Sequence, residues 1–582
     1  MGSRLHHPRA TALLAATLTG LAAGDARAEL RLDFGGQLQT NLRFLVNDLA
    51  IGEFPGRLER PTGIDRSEQI LKLKLNASAE DRYSGVVDAD VVWLLPTPDT
   101  LSFGDLSYRE EVDPVHLRVH SAYLQAADLF IEGIDFRIGQ QIVAWGVGDQ
   151  FNPTNNLNSA DLQDRLLFGN LQANLMAKLD YTVPDLITLS GVLVPIFRPA
   201  LVPTSASLGP AALDRLPHLD AGLRHRIAAE TAASRSLGYP TLVRNAIIET
   251  PRTTAENMQF SFRAATTIGE HDLALSWYHG FSDFPQPLAN FTEQKVGRIC
   301  DPADPASCFD GLLQTDVTLG YPRIDVAGLN MAGELNLFGW ISEDLKPLGY
   351  RLEVGVYFPR EQRIHMTQGE VKLLGVTRAA GEYDYKLPDG KAPLVSDSQV
   401  FAKWTVGLDY TFGSHVYVNA QWVHGLVDEF GAGDFLNEGY SVRQSGVTSP
   451  NDDTLTCAIV EQNGDKCARE ILRRRLGDYL VLGMDVKLLS DALLARLFTI
   501  IDLTGALEER WSPAAGKRVQ TTFSPFSEEG FSAVIFPEIN YNFGNGLELG
   551  GGVLFELGKP YTKFGDPAAG GHLVWTRARF SF

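Results

Sequence analysis

Four cysteines, Cys300, Cys308, Cys457 and Cys467, sit in two polar stretches of the chain. Each near pair would close a short loop, and in an oxidising compartment that spacing predicts two local disulfides. A Cys-x7-Cys spacing without a pair of histidines does not match a zinc site, so no metal is expected there. Asp301, Asp304 and Asp310 around the first pair read as an acidic, solvated loop. The sequence has no G-x-S-x-G elbow, no H-E-x-x-H and no phosphate-binding P-loop. No catalytic residue or cofactor is therefore assigned, and the chain does not read as an enzyme.

A second set of ionisable residues shares faces of strand-like segments. Alternation puts Asp88 and Asp90 on one face of residues 84–95, and His116, Arg118 and His120 on one face of 115–126. It puts Asp135, Arg137, Gln141 and Trp145 on one face of 134–145. An acidic ladder bordering a basic one either neutralises itself within a wall or sets a transverse field that orients polar solutes in a narrow passage. Both readings make these residues lumen-lining, and both need the segments to be neighbours around a common interior.

The rest of the chain supplies those neighbours. Residues 68–79 place Leu71, Leu73, Leu75 and Ala77 on one face and Lys72, Lys74 and Asn76 on the other. After a turn at Asp81-Arg82, residues 84–95 turn Val87, Ala89, Val91 and Trp93 outward. The same pattern predicts hairpins at 115–126 with 134–145, 171–182 with 186–196, 257–267 with 271–281, and 324–338 with 349–359. It continues at 400–412 with 414–426, 478–488 with 493–504, and 531–543 with 546–557. Connections inside pairs are turns such as Gly269-Glu270, Gly413-Ser414 and Gly544-Asn545. Those between pairs run from about 13 to 60 residues. With a first strand near 30–44 and a last at 571–582, the count is about eighteen, sixteen being the alternative even number.

The predicted fold is all-β: a transmembrane antiparallel β-barrel with long extracellular loops and both termini on the short-turn side. Tyr410, Phe412, Tyr541 and Phe543 fall beside short turns, where an interfacial aromatic girdle belongs. The longest insertion, 197–256, opens with Pro199, Pro203 and Pro210 and contains a helix-like stretch from Ala211 to Ser236. It either caps the outside or folds into the lumen.

Both ends agree with export to a membrane. Residues 1–28 carry Arg4 and Arg9, an apolar stretch from Ala10 to Ala23, and Ala26-Arg27-Ala28, the order of a secretory signal peptide. Removing it leaves 29–582 as the barrel and takes the formal charge from −20 to −22. So acidic a chain argues against nucleic-acid partners, which need a clustered basic surface. At the other end Val574, Thr576, Ala578, Phe580 and Phe582 share one face and Trp575, Arg577, Arg579 and Ser581 the other. A last strand ending in Phe582 looks like the assembly signal of bacterial outer-membrane barrels. Phe580 and Phe582 are therefore expected to engage the barrel-assembly machinery, and the expected location is a Gram-negative outer membrane.

From Ser121 to about Pro203 runs a further pattern: Ala122-Tyr123-Leu124, then Arg137-Ile138-Gly139-Gln140-Gln141-Ile142-Val143-Ala144-Trp145-Gly146, then Phe151-Asn152-Pro153 and Asp161. On these residues the sequence resembles a large family of uncharacterised proteobacterial outer-membrane barrels known only as a domain of unknown function. Its members typically show G-R-Q, a W-G shortly after, and an N-P beyond the strand; Gln140 stands here in place of the usual Arg. The resemblance implies a porin-like outer-membrane channel, with hydrophobic or lipid-like compounds within its range. Physically, Gly139 and Gly146 allow close backbone approach and Asn152-Pro153 starts a turn, so these residues are expected to be scaffold.

Three functions follow as expectations. The first is a channel or transporter passing an unidentified solute through the lumen; the second is a surface-loop binding barrel with a closed lumen; the third is transport of lipid-like compounds. Outer-membrane lipid is a partner in all three.

Overall fold

Each strand of this chain offers one apolar and one polar face, and the only arrangement in lipid that pairs every backbone group of such strands is a ring. The computed structural model describes residues 30–51, 58–80, 82–95, 114–167, 169–202, 241–301, 304–337, 346–362, 365–373, 376–382, 398–432, 470–472, 476–512, 517–559, 562–566 and 570–582. Eighteen of its strands form one closed sheet. In chain order these are β1 (Leu30–Leu45), β2 (Gly63–Ala79), β3 (Tyr83–Leu95), β4 (Val115–Ala126), β5 (Ile134–Gln141) and β6 (Asn174–Val183). Then come β7 (Ile187–Val194), β8 (Gln259–Ile268), β9 (His271–Phe281), β10 (Arg323–Leu335), β11 (Leu348–Pro359) and β12 (Phe401–Phe412). The ring is completed by β13 (Val416–His424), β14 (Asp478–Leu488), β15 (Leu493–Asp502), β16 (Ser532–Asn542), β17 (Leu547–Gly558) and β18 (Leu573–Ser581). Every strand pairs antiparallel with the next, and β18 pairs with β1 from Gln37↔Ser581 to Leu45↔Leu573.

The burial pattern is that of a soluble protein turned inside out. Leu117 and Leu124 of β4 are 66% and 65% exposed, whereas Arg43 is 5% and Gln141 1% exposed. An apolar exterior around a polar interior is what lipid selects, and a closed antiparallel barrel of this kind is the architecture of the bacterial outer membrane. No helix among the described residues is long and apolar enough to cross a membrane. The short turns use the glycines expected of them: Gly269, Gly413 and Gly544 adopt φ of +64°, +57° and +77°.

At the closing seam Phe582 N–H donates to Gly36 O and Gly36 N–H to Phe582 O, both at 3.0 Å. The Phe582 ring lies over Gly36, where any Cβ would collide with it. Long connections add β structure of their own. Thr241–Glu249, Gln286–Asp301, Asp304–Gly320, His365–Gln368 and Gly381–Glu382 form a five-stranded sheet. Glu470–Leu472, Ala506–Ser512 and Lys517–Phe523 form a three-stranded one.

Several sequence expectations need correction or placement. β5 ends at Gln141 rather than 145, so Trp145 is not a strand residue. The helix-like stretch 211–236 and residues 1–28 lie outside the described residues, as do Cys457 and Cys467. Cys300 and Cys308 sit on paired strands, one step beyond the Ile299↔Phe309 register partners.

Candidate functional site: a strap across the lumen

The connection from β5 to β6, described over residues 142–167 and 169–173, does not lie over the barrel mouth. It runs through the interior, as its partners on inward faces around the ring show. Two stems leave the wall side by side, braced by the fully buried Asn158. Asn158 Oδ1 accepts from Val143 N–H at 2.8 Å, and its Nδ2 donates to Gln141 O at 3.0 Å and Gln172 O at 2.8 Å. Beyond the first stem Trp145 is buried with Met176, Tyr357 and Phe401, and its carbonyl accepts from Asn330 Nδ2 of β10 at 2.6 Å. Gly146 and Gly148 then pass so close to Asn152 that neither leaves room for a side chain. Asn152-Pro153 turns the strap, with Asn155 N–H donating to Asn152 O at 3.0 Å.

One wall carboxylate holds this turn. Glu353 of β11 has no exposed surface, and its Oε2 accepts from Val147 N–H at 2.8 Å and Gly148 N–H at 3.1 Å. Its Oε1 accepts from Thr154 N–H at 2.8 Å and Thr154 Oγ1 at 2.7 Å. These four donors satisfy the buried carboxylate with no cation in contact among the described residues, the condition under which such burial is tolerable. Tyr357 Oη donates to Pro153 O at 2.6 Å and Thr405 Oγ1 to Phe151 O at 2.8 Å. Asp149 is bound by Arg351, Asn419 and Gln421.

On the opposite side the strap offers adjacent opposite charges to opposite charges on the wall. Arg43 of β1 grips Asp164 through two hydrogen bonds of 2.7 and 2.6 Å. Arg165 meets Glu556 of β17 at 3.0 Å and donates to Gly571 O at 3.1 Å. Burial alone would raise the Asp164 carboxyl, but the adjacent Arg43 guanidinium, helped by the Leu166 N–H and Arg66, outweighs it and holds the group below the ordinary range. A third anchor comes from the β9–β10 connection, where Asp283 accepts from Ala160 N–H at 3.2 Å. Burial pushes Asp283 up to about 7, opposed by that hydrogen bond and by Lys403.

The strap leaves a cavity of about 860 Å³ between itself and the wall formed by β13–β18 and β1. Asp149, Gln150, Phe151, Asp164, Leu166 and Asn170 form its strap side. Farther up the same wall Val481, Ile500, Val534, Leu554 and Leu573 point inward but are almost wholly covered, packed with Leu49, Leu426 and Phe564 of three long connections. The outer half of this wall is thus a core for inturned loops.

The sequence-predicted residues occupy another sector, β3–β5. Asp90 pairs across to Lys72 and Arg118, and a bulge after Asp88 brings His120 Nε2 to 2.8 Å from Asp90 Oδ2. Asp88 pairs with Lys74 and His116 with Val92. Arg137 lies 4.5 Å from the Tyr123 ring centroid and donates to Gln125 at 2.9 Å, while Asp135 accepts from Asp128 N–H at 3.1 Å. None of these residues borders the cavity. What sequence reasoning missed is the strap itself. A signal was present, because Trp145-Gly146, Asn152-Pro153 and Asp161 all fall within it.

No family model matches the sequence and no curated protein matches it. Among solved structures, Acinetobacter baumannii OccAB1 is similar at a TM-score of 0.41 and 8% identity, over 94% of this chain and 96% of that one. Pseudomonas aeruginosa OccK5 (OpdH) gives 0.36 and 8% over 94% and 97%, and a mutant Rh. blastica porin 0.31 and 10% over 95% and 100%. At such scores these likenesses carry no argument, and the closed outer-membrane-type barrel stands on the chain's own strand register and inverted burial.

Proposed function

We propose that this chain is a solute channel of the Gram-negative outer membrane, in which the 142–173 strap narrows the lumen and sets what passes beside it. The observation carrying this reading is the cavity left between the strap and the β13–β18 and β1 wall. Eighteen strands enclose more space than side chains alone can fill, and the strap, tied at Glu353, Asp149 and Asp164-Arg165, divides that space without filling it. An apolar cargo would need a continuous exposed apolar track, and the inward Val481, Ile500, Val534, Leu554 and Leu573 of this wall are covered, which favours aqueous solutes over lipid-like ones. In this reading residues 1–28 direct export, Phe580 and Phe582 present the finished last strand to the assembly machinery, and two local disulfides brace outer connections. Purified protein in planar bilayers should give discrete conductance steps. Absence of steps, even from protein lacking residues 147–170, would refute the channel.

A further inference from the structure

Four arginines and six carboxylates border the cavity, yet most of that charge is spent internally. Arg43 holds Asp164, Arg496 holds Asp485 through two hydrogen bonds of 2.7 and 2.8 Å, Arg579 holds Glu548, and Asp149 is taken by Arg351. Glu538 accepts from Arg496 at 3.5 Å and Asn540 at 3.2 Å, Asp491 stands at the β14–β15 turn, and the rest of the polar lining is mostly carboxamide: Gln39, Asn41, Asn419, Gln421, Asn540 and Asn542 from the wall, and Gln150 and Asn170 from the strap. Gln150 Oε1 and Gln421 Oε1 are buried acceptors without a donor among the described residues, and Gln421 is only 4% exposed. Arg577, whose guanidinium donates to Asn540 at 3.1 Å, keeps its Nε as an unused donor. Phe151, Tyr417 and Phe498 line the same space with part of each side chain accessible.

Buried unpaired acceptors and donors imply a partner that supplies both functions. A carboxylate would complement Arg577 but repel the amide oxygens, and an ammonium would do the reverse. Hydroxyl groups donate and accept at once, and a ring carrying them also offers C–H faces that pack on aromatic side chains. We propose that the cavity is a binding station for a neutral polyhydroxylated solute of saccharide type. This rests on the channel reading and names the class of solute it would carry.

The test uses the full-length protein and maltose as probe. In planar bilayers millimolar maltose should interrupt the current in a concentration-dependent way. An ethylene glycol oligomer of similar mass, benzoate and butylammonium should do so less. Gln421→Leu should raise the half-blocking concentration about fivefold, the loss expected for one neutral hydrogen bond. Asn542→Leu provides a second variant should the first assemble poorly. Calorimetric titration of maltose into the detergent-solubilised barrel separates the two readings. Heat of binding without conductance would support the station while ending the channel reading. Conductance with neither block nor heat, or stronger block by benzoate or butylammonium, would overturn the saccharide assignment and leave the channel standing.

Discussion

Replacing Glu353 by Gln changes one atom in the lumen, and its consequences follow from the hydrogen bonds counted above. The carboxylate accepts from four donors, two on each oxygen. An amide keeps one acceptor oxygen and turns an N–H2 group toward the other pair, so whichever way it flips two strap donors lose their partner. At about 1.5–3 kcal/mol for each hydrogen bond to a charged group, the strap turn is weakened by about 3–6 kcal/mol. The barrel itself should survive, because Glu353 remains in register with Asn330 and Thr405 through backbone pairs. Two readouts follow. Single-channel records of Glu353→Gln should show added noise and substates from a strap that leaves its seat, and the midpoint of heat-modifiable gel mobility should fall. Pairing the change with Thr154→Val should cost less than the sum of the single changes, because both remove the same contact. Quiet records with an unchanged midpoint would refute the claim that Glu353 seats the strap.

Arg43→Met strands Asp164 in the interior and should destabilise the folded barrel by about 3–5 kcal/mol near neutral pH. Because the Asp164 carboxyl is held below its ordinary range, that stabilisation is present above the ordinary carboxyl pKa and lost as pH falls through the lower folded-state value. The gap between wild type and variant in heat-modifiable mobility should therefore narrow in acid. Asp283 has the opposite sign. Its folded-state value of about 7 means stability is lost as pH rises from about 4 to 7, by up to about 4 kcal/mol. Asp283→Asn should match wild type in unfolding midpoint at pH 4 and exceed it at pH 8; equal midpoints at pH 8 would contradict the buried ionisation. Gly36→Val occupies the place of the Phe582 ring and should lower outer-membrane yield as removal of Phe580 to Phe582 would, whereas normal yield would show that the seating of this ring is dispensable. Alkylation of denatured, unreduced protein should find no free thiol, and labelled Cys300 or Cys308 would remove the first proposed bridge.

The barrel was legible because its signal is repeated: β4, β9 and β14 begin and end where alternation places them. The motif residues of the strap, Trp145-Gly146 and Asn152-Pro153, stood out in the sequence, but its path did not, because nothing local tells a connection that folds inward from one that stays outside. Its anchors are single residues on remote strands, with Glu353 about two hundred positions from Thr154 and Arg165 farther still from Glu556. Reading alternation past Gln141 to Trp145 hid the point where the chain leaves the wall. The ladders of β3–β5 were placed on the correct neighbouring strands, but which sector stays open depends on where the strap leans.

The most direct test of the account places a thiol in the passage. Gly483 of β14 borders the cavity, and a Cβ there would meet only Asn419 Cβ, at 3.7 Å. A Gly483→Cys channel held in a planar bilayer should lose current in a stepwise drop when a trimethylammonium-bearing methanethiosulfonate is added. Leu482→Cys, facing lipid at 37% exposure, and the wild type should not respond. Mass spectrometry showing complete labelling of Cys at 483 with undiminished current would mean that solutes do not pass between the strap and this wall.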